Sequence, residues 1–364
     1  MNWRKKSKND WGRLGLISNS WQKKTLSDFI YFKNGKKRPS ITGDIPVYGG
    51  NGILDYTSES NLENAVIIGR VGAYAGSVYY ESKKLWVSDN AIAAKAKDSS
   101  NIAFIYYLLK NLRLSERQIG TGQPLLTQNI LNNIEVYLPS LEEQCKIAEI
   151  LTTLDARIFE NKKINHHLVE LARSFWQERF SSKQPNGKLG DIIELFDSKR
   201  VPLSANQREK MDKTYPYYGA TSLMDYVDDY LFDGTYLLLG EDGTVIDKEG
   251  YPILQYVWGK FWVNNHAHIM VGKNGFTVES LFVLLKNTCV SSIVTGAVQL
   301  KINQANLKSV DVYIPQKEEL DNFNSTIEPI FDQLRNLYDE IKSLTTLRGA
   351  LLPKLMSGEI SVAD

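Results

Sequence analysis

The chain has 364 residues, with 43 Lys and Arg against 42 Asp and Glu and 43% hydrophobic residues. That is a globular composition too long for one ordinary core, so two domains are expected. No run approaches the roughly eighteen uncharged apolar residues of a membrane span, and the charged N-terminus lacks the apolar stretch of a secretory signal, so a cytoplasmic protein is expected.

Cys145 and Cys289 lie far apart and suit a reducing compartment, with neither a disulfide framework nor zinc spacing. Charge is unevenly spread. Met1 to Arg38 holds eleven Lys or Arg against Asp10 and Asp28, whereas Asp225 to Glu249 holds eight acidic residues against Lys248. A chain of net charge +1 that meets a polyanion must concentrate its positive face in this way.

Residues 1–20 lack periodicity and read as a basic arm. From Trp21 the texture changes. Leu26-Ser-Asp-Phe-Ile30 opens a short element and the basic loop Lys36-Lys37-Arg38 follows. Ile45-Pro-Val-Tyr48 leads into Gly49-Gly-Asn-Gly52, a tight turn that calls for positive φ. Ala65-Val-Ile-Ile68 reads as a buried strand broken by Gly69-Arg70-Val-Gly72, and 76–80 and 84–87 read as two further strands. Ile102 to Leu114 reads as a helix, and Ile134 to Leu138 as a last strand before a long helix.

That helix runs from Pro139 to Phe180 with no internal glycine or proline. Ser140 and Glu143 form a capping box at its start. Ile147, Leu151, Leu154, Ile158, Leu168, Ala172 and Phe175 make a four-three seam, so a partner helix is expected along a rod of about 60 Å. Asn161 and Asn165 are polar positions on that seam, suited to fixing register or marking a docking point.

After a Pro- and Gly-containing linker the first half repeats. Leu189-Gly-Asp-Ile-Ile193 echoes Leu26–Ile30, and Tyr215-Pro-Tyr-Tyr-Gly219 echoes Ile45–Gly49. Leu237–Gly240 echoes Val66–Gly69, and Trp262–Ala267 echoes Trp86–Ala91. Gly296–Gln299 echoes Gly120–Gln123, and Val312–Pro315 echoes Val136–Pro139. Matches in one order mean duplication of a whole domain plus its helix. The second helix, from Gln316, carries the seam Phe323, Ile327, Ile330, Leu334, Leu337, Ile341, Leu344 and Leu351, and Pro329 is expected to kink or restart it.

No catalytic constellation survives inspection. Ser88-Asp89-Asn90 and Ser20-x-x-Lys23 match fragments of a β-lactamase pattern without its Lys-Thr-Gly. His266 and His268 have no third ligand at metal spacing. No glycine-rich loop has the nucleotide-binding form. The chain is expected to be no enzyme and to need no cofactor and no metal. Binding signals are better. Arg and Lys suit guanine edges, and Asn and Gln suit adenine edges. The candidates in glycine-rich or basic loops are Lys36, Lys37, Arg38, Asn51, Arg70, Asn90 and Gln123, with Lys199, Arg200, His266 and Gln299 as their echoes. Trp86 and Trp262 read as core.

Two domain-plus-helix repeats without catalytic motifs resemble the specificity (S) subunit of type I restriction–modification systems. Ile45–Gly52 and Val66–Gly72 look like pieces of its target-recognition domains. Val136–Gln144 with Ile147-Ala-x-Ile-Leu151 and Leu154-Asp155 looks like the start of its first spacer helix, and Leu351–Ile360 looks like the close of its second. The resemblance covers about 21–360; the arm 1–20 and Pro329 depart from it.

The resemblance implies an α+β fold with two globular β-rich target-recognition domains separated by two long antiparallel coiled-coil helices in a pseudo-twofold repeat. The expected boundaries are arm 1–20, domain 21–138, helix 139–184, domain 185–314, helix 315–358 and tail 359–364. It also implies partners. These are double-stranded DNA read as an asymmetric bipartite site through the major groove, two methyltransferase (M) subunits that methylate adenine N6, and restriction (R) subunits. An S-like subunit of another restriction–modification type, or a coiled-coil scaffold with protein- or glycan-binding domains, remain the alternatives.

Overall fold

The computed structural model describes residues 21–98, 100–118, 124–296 and 299–362. The basic arm 1–20 lies outside the described residues. The chain forms two compact units. One is the segment ending at Glu160 together with that starting at Glu340; the other is Asn161–Asp339. Among the described residues no helix is long and apolar enough to cross a membrane.

The elements of the first chain half are β1 (Gln22–Thr25), α1 (Leu26–Phe29), β2 (Ile30–Asn34), β3 (Ile45–Gly49), β4 (Gly52–Thr57), β5 (Leu62–Gly69), β6 (Val78–Val87), β7 (Ala91–Ala96), α2 (Ile102–Asn111), α3 (Gln128–Asn132), β8 (Glu135–Leu138) and α4 (Leu141–Phe180). Six strands join in the order β2-β7-β5-β6-β3-β4. Its middle strand is the apolar run Ala65–Ile68, buried on both faces. Val66 and Ile68 pack with Phe104 and Leu108 of α2, and Ala65 and Ile67 pack with Tyr48, Leu85 and Val87. Such a run needs cover on both sides, which explains why it does not alternate. The two strands expected over 76–80 and 84–87 are one strand, β6, whose polar middle Ser82–Lys84 is exposed. Helix α2 is capped by Asn101, whose side chain accepts from the Phe104 N–H, and it stops at Asn111, short of Leu114, because Arg113 takes a left-handed conformation (φ 46°).

The first half of α4 completes this unit. Ser140 and Glu143 make the capping box: the Glu143 N–H donates to Ser140 Oγ (3.2 Å) and the Ser140 N–H to Glu143 Oε2 (3.1 Å). Ile147 and Leu151 bury against Leu351, Leu352, Leu355 and Met356 of α9 (Lys317–Ser357). Asp155 accepts from Tyr107 Oη (2.7 Å) and from Arg348, and Arg157 pairs with Glu340 at 2.8 Å. As α4 advances, its partners on α9 therefore recede, which is an antiparallel pair. Burial and the Asp155 carboxylate push the Tyr107 hydroxyl far above its ordinary value, so it stays a donor.

The second unit uses β9 (Gly187–Lys188), α5 (Leu189–Ile192), β10 (Ile193–Leu195), α6 (Ala205–Glu209), β11 (Tyr215–Tyr218), β12 (Leu223–Val227), β13 (Phe232–Asp233), β14 (Tyr236–Gly240), β15 (Leu254–Val257), β16 (Lys260–Val263), β17 (Ala267–Gly272), α7 (Val278–Lys286), α8 (Gln304–Lys308) and β18 (Asp311–Val312). Its strands form two four-stranded sheets, β10-β17-β14-β15 and β12-β11-β16-β13, and the two-stranded pair β18-β9. The repeat is visible in register. The parallel pair Tyr48↔Val87 of β3 and β6 recurs as Tyr218↔Val263 of β11 and β16. The β1–β8 clasp recurs as β9–β18.

The later half of α4 packs here against the earlier half of α9: Ala172, Trp176 and Phe180 against Phe323, Ile327 and Phe331, with Trp176 edge-on to Phe323 at 5.2 Å. The expected break at Pro329 does not occur; α9 is one helix from Lys317 to Ser357. Pro329 sits on the exposed face, where the carbonyl it strands can be hydrated, while buried Ile327 and Phe331 hold the helix on either side. Asn161 is fully buried in α4, and its amide has no hydrogen-bond partner among the described residues.

Candidate nucleic-acid interface

In the first unit, glycine-punctuated loops are laced together through the backbone. The Lys36 N–H donates to the Val87 carbonyl (2.9 Å) and the Gly35 N–H to Ala91 (3.0 Å), tying the loop after β2 to the β6–β7 turn. The Ser88 N–H donates to Tyr48 (2.8 Å), and the Arg70 N–H to Asn90 (3.0 Å). The Gly72 N–H donates to Pro124 (3.0 Å), and the Leu126 N–H to Arg70 (2.9 Å). Ser77 Oγ holds the Gly50 carbonyl of the β3–β4 turn. Gly72 takes φ +71°, left-handed backbone that few other residues adopt easily.

The second unit repeats four of these bonds. The Asn264 N–H donates to Tyr218 (3.0 Å), and the Glu241 N–H to His266 (2.8 Å). The Gly243 N–H donates to Leu300 (2.9 Å), and the Ile302 N–H to Glu241 (2.9 Å). The same scaffold thus holds different side chains: Arg70 answers to Glu241 and Asn90 to His266.

A family model described as "Type I restriction modification DNA specificity domain" matches the chain twice, over residues 18–168 and 183–347. The chain belongs to this family of type I DNA specificity proteins. A type I restriction enzyme specificity subunit of Methanocaldococcus jannaschii is 28% identical over 313 residues, 74% of this chain and 71% of that one. A putative type I specificity subunit of Haemophilus influenzae is 31% identical over 144 residues, 39% of this chain, and the match spans about a third of that relative (36%). The crystal structure of a type I restriction–modification S subunit from M. genitalium superposes with TM-score 0.61 over 96% of this chain and 98% of its own, at 18% identity, which establishes the common fold.

On this specificity-family scaffold the structure gathers most of the expected residues in the laced loops. Lys36, Lys37, Asn51 and Asn90 are exposed, Arg38 is exposed and 3.6 Å from Asp55, and Arg70 is half-buried. In the second unit Lys199, His266 and Gln299 are exposed, and His266 Nδ1 lies 2.8 Å from Asp242. Gln123 lies outside the described residues. Trp262 is core, with Nε1 donating to the Val201 carbonyl (2.6 Å); Trp86 is half-buried, its Nε1 donating to the Lys36 carbonyl (3.4 Å).

Arg200 is placed differently from the expectation of a free base-reading group. Its side chain is 14% exposed, and Nη1 donates to Glu241 (2.7 Å) and to the Ala267 carbonyl (2.7 Å). Its fork is spent inside the domain. The partner that captures it, Glu241, stands where the first unit has Arg70, and Lys301 adds a second ion pair to Glu241 at 3.3 Å. Glu241 and Lys301 escaped the sequence reading, although the echo of Gly69 in Gly240 pointed to Glu241.

Beneath this pair is a buried charge cluster. His268 Nδ1 is 2.5 Å from Asp197 Oδ2 and Nε2 is 2.7 Å from the Ile302 carbonyl. Asp197 also accepts from the Ile269 N–H (2.9 Å) and Gln304 Nε2 (2.5 Å). Burial works to raise the Asp197 carboxyl, but the donors around it outweigh that and hold it below its ordinary value. Asp197, Glu241 and His268 place ligand atoms within 4.8 Å of one another, a set that could hold a metal ion. Arg200, however, already supplies the positive charge, and both His268 nitrogens are engaged. The cluster therefore acts as a lock on the loops.

Proposed function

We propose that the two loop clusters each read one half of an asymmetric bipartite DNA site through the major groove. The chain then serves as the sequence reader of a type I restriction–modification complex in the cytoplasm. The observation that carries this reading is the repetition: one lacing pattern, two sets of side chains. A repeated scaffold with changed side chains suits two half-sites of different sequence. Lys36, Lys37, Arg38, Asn51, Arg70 and Asn90, with Gln123, form the first reader. Lys199, His266 and Gln299 form the second, with Arg200 as the residue that holds it. The chain itself carries out no covalent step. Helices α4 and α9 fix the half-site spacing and dock two methyltransferase subunits for adenine N6 methylation, and restriction subunits join the full complex.

Exchange of residues 21–138 for the corresponding segment of a relative tests this. Methylome sequencing of a strain carrying the hybrid should show one half-site replaced, with the other half-site and the gap unchanged. Change in both halves, or in neither, would refute it.

A further inference from the structure

The hairpins β3–β4 and β11–β12 share a feature that base-edge hydrogen bonding does not use. Just past each turn stand two large apolar side chains in water: Ile53 (47% exposed) and Leu54 (44%) in the first unit, Leu223 (41%) and Met224 (54%) in the second. They occupy equivalent places, since Tyr48 pairs with Ile53 and Tyr218 with Leu223, each just after a register shift in the strand. Both pairs lie beside the laced loops. A Cβ added to Gly49 would sit 2.4 Å from Leu54 and 3.3 Å from Ser88 Oγ; one added to Gly219 would sit 2.3 Å from Met224. Asn264 Nδ2 donates to Met224 Sδ at 3.3 Å. The charged and polar positions of the two readers diverged, Arg70 to Glu241 and Asn90 to His266, while this pair stayed apolar.

Large apolar groups on an exposed edge are favourable only when something apolar covers them. The base edges of the major groove offer one such group, the C5 methyl of thymine. Building on the proposed reading of DNA, we propose that Ile53/Leu54 and Leu223/Met224 are specificity-determining residues that recognise thymine methyl groups, one pair in each half-site. Each pair selects an A·T pair by the methyl and leaves hydrogen-bond reading to the neighbouring loops.

Uracil isolates the effect, because it lacks the methyl and keeps every hydrogen-bonding group. The assembled complex is titrated with duplexes of its methylome-defined site in which each thymine in turn is replaced by deoxyuridine. At least one thymine in each half-site should show about fourfold weaker binding on replacement, from roughly 0.8 kcal/mol for a buried methyl-sized group at 1.4 kcal/mol per tenfold. Leu54→Ala should erase that difference in one half-site only, and Met224→Ala in the other. Equal binding of thymine and uracil at every position, or an unchanged ratio in both variants, overturns the inference while leaving the DNA reader intact. Loss of subunit assembly in the variants, with thymine and uracil still equal, would assign the patch to protein docking. Absence of salt-dependent binding to the site in the unaltered complex would defeat the proposed function itself.

Discussion

At the scale of single residues, the two units carry opposite charges where Arg70 and Glu241 share a backbone position. Among the described residues Arg70 is in no ion pair, whereas Glu241 is tied to Arg200 and Lys301. Arg70→Ala should therefore weaken binding to the cognate duplex by about 1–3 kcal/mol and relax preference at one position, read by titration against single-base variants. Unchanged affinity and preference would make it a loop-holding residue. Asp197 belongs to a different class. Asp197→Asn removes the carboxylate that His268, Gln304 and the Ile269 N–H share and should cost about 3 kcal/mol in denaturant unfolding. Because the folded state holds the Asp197 carboxyl below its ordinary value of 3.8, this stabilisation is complete above that value and is lost as pH falls below it. The unfolding free energy of the parent should then drop on acidification below about pH 4 more steeply than that of the variant. Parallel acid limbs would refute this account. The fate of Arg200 shows what a sequence cannot display. Its partner Glu241 is 41 residues away, and no local pattern marks the pair.

At the scale of elements, apolar periodicity carried most of the information. The seam of α4 and the run Ala65–Ile68 were legible because burial on a helix or a central strand leaves a repeating mark. Phe331, Leu355 and Met356 are core residues that the four-three count on α9 passed over. Glycines located the turns, and through them the laced loops. Strand ends were less legible, since Gly76 and the exposed polar stretch Ser82–Lys84 suggested two strands where β6 is one. Pro329 misled for a related reason. Proline propensity describes an isolated helix, whereas α9 is held by Phe323, Ile327, Phe331 and Leu334 on its buried face. The missing hydrogen bond still has its cost. Pro329→Ala should stabilise the protein by roughly 2 kcal/mol, after allowing for the extra freedom it gives the unfolded chain. A thermal scan showing an unchanged or lowered midpoint would contradict this.

At the scale of the molecule, the duplicated sequence and the compact units do not coincide. The repeats divide near the end of α4, but the units divide inside the helices, between Glu160 and Asn161 and between Asp339 and Glu340. The duplication was legible because its echoes keep their order, and the antiparallel pairing of the two helices was expected with it; the place along the helices where the units part was not, because the seams of α4 and α9 look alike along their lengths. This division bears on how the chain is made. Asn161–Asp339 is one contiguous stretch, so that unit has all its parts as soon as translation passes Asp339. The first unit, though begun earlier, waits for Leu351, Leu355 and Met356 to cover Ile147 and Leu151. The first unit is therefore the last to have all its parts synthesised, and a chain interrupted between Asp339 and Leu351 lacks the cover of Ile147 and Leu151 while holding every residue of the other unit.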